Sequence, residues 1–268
     1  MRNSFLEAIA KNETIIFSRE NSITKHLPEF IGRLWFYWIF IVVGSLFLFG
    51  MPLVMLYAEI FRNRDLAYPW ARWGARVWLK LSGMKVLVSG KKNLRENQSY
   101  VFVANHHSYL DTAAIFAYTG KKMGVIAKKE MLKLPIGGKF MKYVNVLAID
   151  RSNAEKAIET MNDAAEKLRS GISFGVFAEG TRAKAFELLP FKKGAFHIAI
   201  ETGFPIVPIV FKNTDVLMGK KQNYAQPGTI EMIMLPPIET KNLTIENDLM
   251  SLLVKVRGTI AEELRNEK

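Results

Sequence analysis

Residues 34–58 read LWFYWIFIVVGSLFLFGMPLVMLYA, twenty-five in succession without a charge. Coiled as a helix they would extend about 37 Å, against about 30 Å for the hydrocarbon of a bilayer. The run is too long and too far into the chain for a signal peptide, and no small-residue cleavage site follows it. A helix apolar all round belongs in a core or in a membrane, and one with two Trp, four Phe and two Tyr is unusual for a core. Membrane insertion is therefore the first expectation. Gly50 and Pro52 are placed to kink the run near its end. Spanning the bilayer and dipping in and returning both fit, and with basic residues on either side the positive-inside rule sets no orientation.

A second segment, residues 68–81, interleaves Trp70, Trp73 and Trp78 with Arg72, Arg76 and Lys80, the basic three at helical spacing. Trp and Arg together favour the headgroup boundary. The plainer alternative is that these Trp pack on a globular domain. After Gly83 the texture changes to short apolar strands, expected at 85–89, 100–104, 124–127, 174–178, 205–211 and 230–235. Helices alternate with them: one opens on a Ser152/Glu155 capping box, and another is striped by Leu249, Leu252, Leu253, Val256, Ile260 and Leu264. That alternation predicts an α/β fold, a mostly parallel sheet flanked by helices, behind an N-terminal membrane-embedded helical segment. The expected division is an N-terminal arm at 1–33 with no assigned function, membrane-associated helices at 34–82 and a catalytic domain at 83–268.

Within residues 100–111, YVFVANHHSYLD, a buried strand breaks into a polar cluster. Ser108 and Asp111 fit the S-x-x-[DE] pattern that opens a helix. A strand that turns straight into a helix lifts the turn's side chains above the sheet edge, where open α/β sheets bind ligands. His106 and Asp111 stand in that turn. An imidazole can take a proton near neutral pH, and a carboxylate on its far nitrogen fixes the tautomer and stabilises the imidazolium. From this stretch alone, a capped helix behind a loop histidine fits as well as a catalytic pair.

A second strand ends in Glu179-Gly180-Thr181-Arg182. Gly180 permits close backbone approach, and the Arg182 fork suits phosphate oxygens. An ordinary strand-exit turn with a surface Glu–Arg pair reads equally plainly. The net charge of +12 asks for an anionic partner, and residues 121–151 carry half of it, with eight basic residues against two acidic. The absence of Cys excludes disulfides, cysteine nucleophiles and thiolate metal sites. The four histidines, at 26, 106, 107 and 197, are too scattered for an obvious zinc site, so no metal is expected. No G-x-S-x-G elbow points to a serine hydrolase, and no RNP or helix-turn-helix pattern accompanies the basic charge, so nucleic acid is not an expected partner.

Together these blocks resemble the glycerolipid acyltransferase family, specifically the 1-acyl-sn-glycerol-3-phosphate acyltransferases. NHHSYLD at 105–111 is similar to that family's H-x4-D block, residues 128–151 to its second block, Glu179–Arg182 to its EGTR block, and FPIVP at 204–208 to its fourth. The resemblance spans roughly residues 70–240. His107 stands where the family often has Gln, and Ala183 where Ser is common. The resemblance implies acyl transfer from acyl-CoA or acyl-carrier protein to the sn-2 hydroxyl of lysophosphatidate, giving phosphatidate, with no bound cofactor. It implies His106 as general base and Asp111 as its orienting partner, supported by Asn105, Ser108 and Glu179. It also implies that Gly180, Thr181, Arg182, Lys128, Lys129 and Arg151 hold the acceptor phosphate. Backbone N–H groups at the helix start after Ser108 are candidates for the oxyanion. Cytosolic thioester donors imply a membrane location with the catalytic face cytoplasmic, and anionic lipid as a neighbour. Another lysophospholipid or glycerol 3-phosphate as acceptor, and a non-catalytic anionic-lipid-binding membrane protein, are the alternatives.

Overall fold

The structure, a computed structural model, describes residues 2–17, 27–133, 137–150 and 153–266. In chain order the elements are α1 (Arg2–Ala10), β1 (Ile15–Ile16), α2 (Glu29–Ser45), α3 (Met51–Ile60), α4 (Ala67–Leu81), β2 (Met84–Ser89), β3 (Val101–Ala104), α5 (Tyr109–Tyr118), β4 (Met123–Lys128), α6 (Gly137–Tyr143), β5 (Val146–Ile149), α7 (Ala154–Arg169), β6 (Ser173–Phe177), β7 (Glu187–Leu188), α8 (Gly194–Thr202), β8 (Ile206–Lys212), α9 (Thr214–Leu217), β9 (Gly228–Met234) and α10 (Ile245–Arg265).

Seven strands form one sheet in the order β2-β9-β8-β3-β6-β4-β5. Every neighbouring pair is parallel except β8 with β9, so β8, β3, β6, β4 and β5 run one way and β9 and β2 the other. β3 sits at the centre and is buried on both faces, which is why it reads as a continuous apolar run without alternation. Val101 and Val103 join a core with α7, α8 and α10, while Tyr100, Phe102 and Ala104 join another with α4 and α5. The six expected strands are all present. β5 was not anticipated: four residues after a left-handed Asn145 are too few to stand out from the basic stretch around them. The N-cap of α7 is Asn153, whose side chain accepts from Lys156 N–H; the expected Ser152 lies outside the described residues.

The long apolar run is one helix, Glu29–Ile60, long and apolar enough by length and composition to cross a membrane. Its irregularity is a π-helical turn at Leu46–Gly50, in the turn just before Pro52, where that residue's ring and missing N–H disturb the helical ladder. Seventeen of the twenty-three large apolar side chains exposed among the described residues lie between positions 30 and 81, and they make this one surface unlike the rest of the molecule. Trp35 and Trp38 donate to the carbonyls of Ser82 and Leu81, and Trp78 donates back to Ile39, stitching α2 to α4.

The basic face expected on α4 is corrected in part. Arg76 donates to the carbonyl of Ala117 in the last turn of α5, and Arg72 to that of Lys121. Carbonyls at a helix C-terminus lack intrahelical donors and carry the negative end of the dipole, so that of Ala117 suits Arg76, which stays exposed while Arg72 is half-buried. Trp70 and Trp73 remain on the outside, while Trp78 is turned in.

Candidate active site

The parallel strands β3, β6 and β4 end at one edge of the sheet, with Ala104 opposite Phe177 in the register. The turn after β3 is built from its own residues. Ser108 caps α5 by accepting from Leu110 N–H, and Asp111 closes the capping box by accepting from Ser108 N–H at 2.8 Å. Asn105, fully buried, is fixed to β8 by a pair of hydrogen bonds: its amide donates to the Phe211 carbonyl at 2.9 Å and accepts the Phe211 N–H at 2.8 Å. The turn therefore departs from β3 in only one direction.

His106 Nδ1 lies 2.9 Å from Asp111 Oδ2, and the imidazole stacks on Phe177 with ring centroids 3.9 Å apart. With Nδ1 committed, Nε2 is the nitrogen left for chemistry. Asp111 is completely buried. Burial pushes its carboxyl up, but the hydrogen bond from His106, the charges of His106 and His107, and the Ser108 N–H together hold it below 3.8. Both ring nitrogens of His107 are engaged: it lies between the Asn105 amide at 3.1 Å and the Glu187 carbonyl at 2.8 Å.

Glu179 overturns the plain reading of a surface Glu–Arg pair. It is only 3 % exposed; its Oε1 accepts the His106 N–H at 2.7 Å and its Oε2 accepts the Leu189 N–H at 2.9 Å. Burial raises its carboxyl to about 7 against the opposing effects of His107 and these two N–H groups. Gly180 turns the chain at φ +72°, a left-handed conformation costly for other residues. Thr181 is exposed beyond it. Arg182 lies over the Tyr109 ring at 3.9 Å and donates to its hydroxyl at 3.2 Å; among the described residues no carboxylate pairs with it.

The structure thus brings together Asn105, His106, Ser108, Asp111, Glu179, Gly180, Thr181 and Arg182. Lys128 ends β4, two strands from β3, with Lys129 just after it, and each already meets a carboxylate: Lys128 with Glu130 at 3.5 Å, Lys129 with Asp150 at 2.8 Å. Arg151 lies outside the described residues. The N–H groups of His107, Ser108 and Leu110 are occupied by Asp111 and Ser108, so the helix start is poorer in oxyanion donors than its sequence suggests. Sequence reasoning missed Phe177, the platform for His106, and Tyr109, the platform for Arg182. An aromatic at the last position of β6, facing a small Ala104, was the available signal for the first. Tyr109 also meets Phe40 of α2 edge-on at 6.2 Å, which puts the apolar surface at the mouth of the site.

The acyltransferase family model matches residues 85–212, which include both polar clusters. The 1-acyl-sn-glycerol-3-phosphate acyltransferase of Saccharomyces cerevisiae is 37% identical over 186 residues, 68% of this chain and 61% of that protein. The alpha form of the same-named enzyme from Mus musculus is 35% identical over 182 residues, 67% of this chain and 64% of that protein. The chain therefore spans a little over three fifths of the length of these curated relatives. The crystal structure of the 1-acyl-sn-glycerophosphate (LPA) acyltransferase PlsC from Thermotoga maritima superposes with a TM-score of 0.77 at 25% identity, covering 89% of this chain and 98% of that one.

Proposed function

The chain belongs to the acyltransferase family, and from that premise we propose that it transfers a fatty acyl group from acyl-CoA or acyl-carrier protein to the sn-2 hydroxyl of lysophosphatidate, giving phosphatidate. The observation that carries this reading is the His106–Asp111 pair at 2.9 Å, set at the strand edge beside an Arg182 that no described carboxylate engages.

An alcohol is a poor nucleophile until a positioned base takes its proton. His106 Nε2 accepts the proton of the acceptor hydroxyl as that oxygen attacks the thioester carbonyl. A carbon–oxygen bond forms, the tetrahedral oxyanion collapses, the carbon–sulfur bond breaks, and the imidazolium returns the proton to the departing thiolate. Asp111, ionised and buried, stabilises the imidazolium in between. The Arg182 fork receives the acceptor phosphate, with the Gly180 turn allowing close approach and Thr181 beside it. Lys128 and Lys129, each locally paired, contribute positive potential to the acceptor site and not a direct clamp, and Arg151 adds to the charge available for the acceptor phosphate.

The apolar surface supplies the membrane that both the acceptor and the acyl chain require. Support for a seat within one leaflet comes from the two ends of the Glu29–Ile60 helix. At its start, Ala225 N–H donates to Gly32 and Tyr224 to Leu27; at its end, Tyr143 donates to Glu59. A helix of about 48 Å with both ends bonded to the same domain lies along that domain. Its exposed Phe49, Leu53, Leu56 and Ile60 then face lipid, with the catalytic edge on the cytoplasmic side where thioesters are made.

The test is purified protein in lipid vesicles given lysophosphatidate, another lysophospholipid or glycerol 3-phosphate, each with acyl-CoA and with acyl-carrier protein. Phosphatidate is the expected product. His106→Ala should cut turnover by about 10²- to 10⁴-fold, the span of general-base catalysis. Full activity in that variant would sink the mechanism, and preference for another acceptor would sink the substrate.

A further inference from the structure

We infer that the N-terminal segment at residues 12–17 is a positioning element of the active site, acting through the strap at residues 183–192. The strap has two edges. One faces the catalytic turn: Ala183 N–H donates to the His106 carbonyl at 2.7 Å, His107 Nε2 meets the Glu187 carbonyl at 2.8 Å, and Leu189 N–H donates to Glu179 at 2.9 Å. Glu179 in turn holds the His106 N–H. Both backbone polar groups of His106 are therefore set, directly or through one carboxylate, by where the strap lies.

The other edge faces residues 12–17. Ile15 and Ile16 pair antiparallel with Leu188 and Glu187, and Phe17 N–H donates to the Phe186 carbonyl at 2.8 Å. Asn12 brackets the strap's end, donating to the Phe191 carbonyl at 2.9 Å and accepting the Phe191 N–H at 2.7 Å. A two-residue ladder is weak alone. This one is backed by an anchor away from the chemistry: Ile9 and Ile15 are buried in the core shared with α10. The buried Arg257 of α10 donates to the carbonyls of Ala8 and Ile9, which also accept the N–H groups of Glu13 and Asn12, and to that of Glu13 beyond the end of α1. Fixed to α10 on one side, the segment presents a fixed edge to the strap on the other. Arg182, at the strap's start, and His106, beneath it, are held by the same piece of backbone.

This rests on the acyltransferase reading for its kinetic arm only. The experiment uses the full chain in lipid vesicles and three variants. Asn12→Gly removes the Phe191 bonds without strain, because Asn12 sits at φ +54°. Phe17→Pro removes the N–H given to Phe186. Thr244→Ala, which removes the N-cap of α10, is the remote control for a general loss of stability.

Hydrogen exchange is followed in peptides covering residues 104–108 and 183–192, and kinetics in parallel. Both segment variants are expected to exchange faster in the two peptides. Their kcat should fall by about tenfold, as small misplacements of catalytic groups do, with KM for lysophosphatidate changed less than about twofold. Thr244→Ala is expected to leave both peptides and kcat as in the wild type. Faster exchange confined to residues 2–17, or an equal loss of kcat in the control, overturns the inference. A wild type without acyl transfer overturns the acyltransferase reading instead, and the exchange data still decide the role of the segment.

Discussion

Asp111 Oδ2 accepts from three donors at once: His106 Nδ1 at 2.9 Å and the N–H groups of His107 and Ser108, each at 2.8 Å. Its Oδ1 is buried and has no hydrogen-bond partner among the described residues. One oxygen thus closes the helix cap and orients the imidazole, so the turn that starts α5 and the turn that aims His106 are the same structure.

That arrangement sets what Asp111→Asn should do. The amide oxygen can take the place of Oδ2 and keep all three bonds, with the amide nitrogen in the position of Oδ1. Geometry survives, while the negative charge that stabilises the imidazolium and fixes the tautomer is gone. Turnover should fall by about 10³- to 10⁴-fold, as in other His–carboxylate pairs. The stranded amide donors should cost about 1–3 kcal/mol of stability. Asp111 is held below 3.8, so in the wild type it contributes stability present above 3.8 and lost as pH falls through the lowered value; the variant should lack that component. Kinetics and acid titration of folding in detergent check both parts. Retention of activity would show that the charge is not used.

Glu179 predicts the opposite slope. Its folded value of about 7 lies above the 4.5 of an unfolded Glu, so between those limits the folded state holds a proton that the unfolded state has released. Stability contributed by this group is complete below 4.5 and declines as pH rises toward 7, by about 3 kcal/mol in all. Glu179→Gln should remove that decline. It should also lower activity, since a carboxamide has one oxygen for the two N–H groups of His106 and Leu189. Urea midpoints at pH 5 and pH 8 decide it: a wild-type decline that persists undiminished in the variant would remove Glu179 as its source.

The contrast between these two carboxylates explains what was legible in the sequence. Asp111 has every partner within five residues, so spacing alone implied the cap and offered the pair with His106 as one of two readings. Glu179 takes its N–H groups from positions 106 and 189 on different elements, and nothing near it in the chain distinguishes a buried clamp from a surface pair. The same holds for Arg72 and Arg76, whose spacing on α4 was visible but whose acceptors on and after α5 were not. The core strands were readable because burial on both faces demands apolar residues. β1 and β7 were not, because two residues each leave no period, and their pairing joins chain segments far apart.

The seating of the Glu29–Ile60 helix can be tested cleanly because the chain has no cysteine. Glu29→Cys and Arg64→Cys mark its two ends; each loses an exposed ion pair, with Arg33 and Glu59 respectively, and Arg64 also gives up its place over the Tyr143 ring. Leu53→Cys marks the exposed apolar middle. The vesicles required are sealed ones whose catalytic edge faces outward, recognised by phosphatidate synthesis without permeabilisation. In these, a membrane-impermeant maleimide should label both end positions and spare position 53. The reason is geometric: the start of the helix is bonded to Leu27 and Gly32's partners, Tyr224 and Ala225, and its end to Tyr143, all on one domain. A spanning helix would carry one end to the far leaflet and break one of those contacts. Labelling of either end only after the vesicles are opened would establish a crossing and exclude the one-leaflet seat.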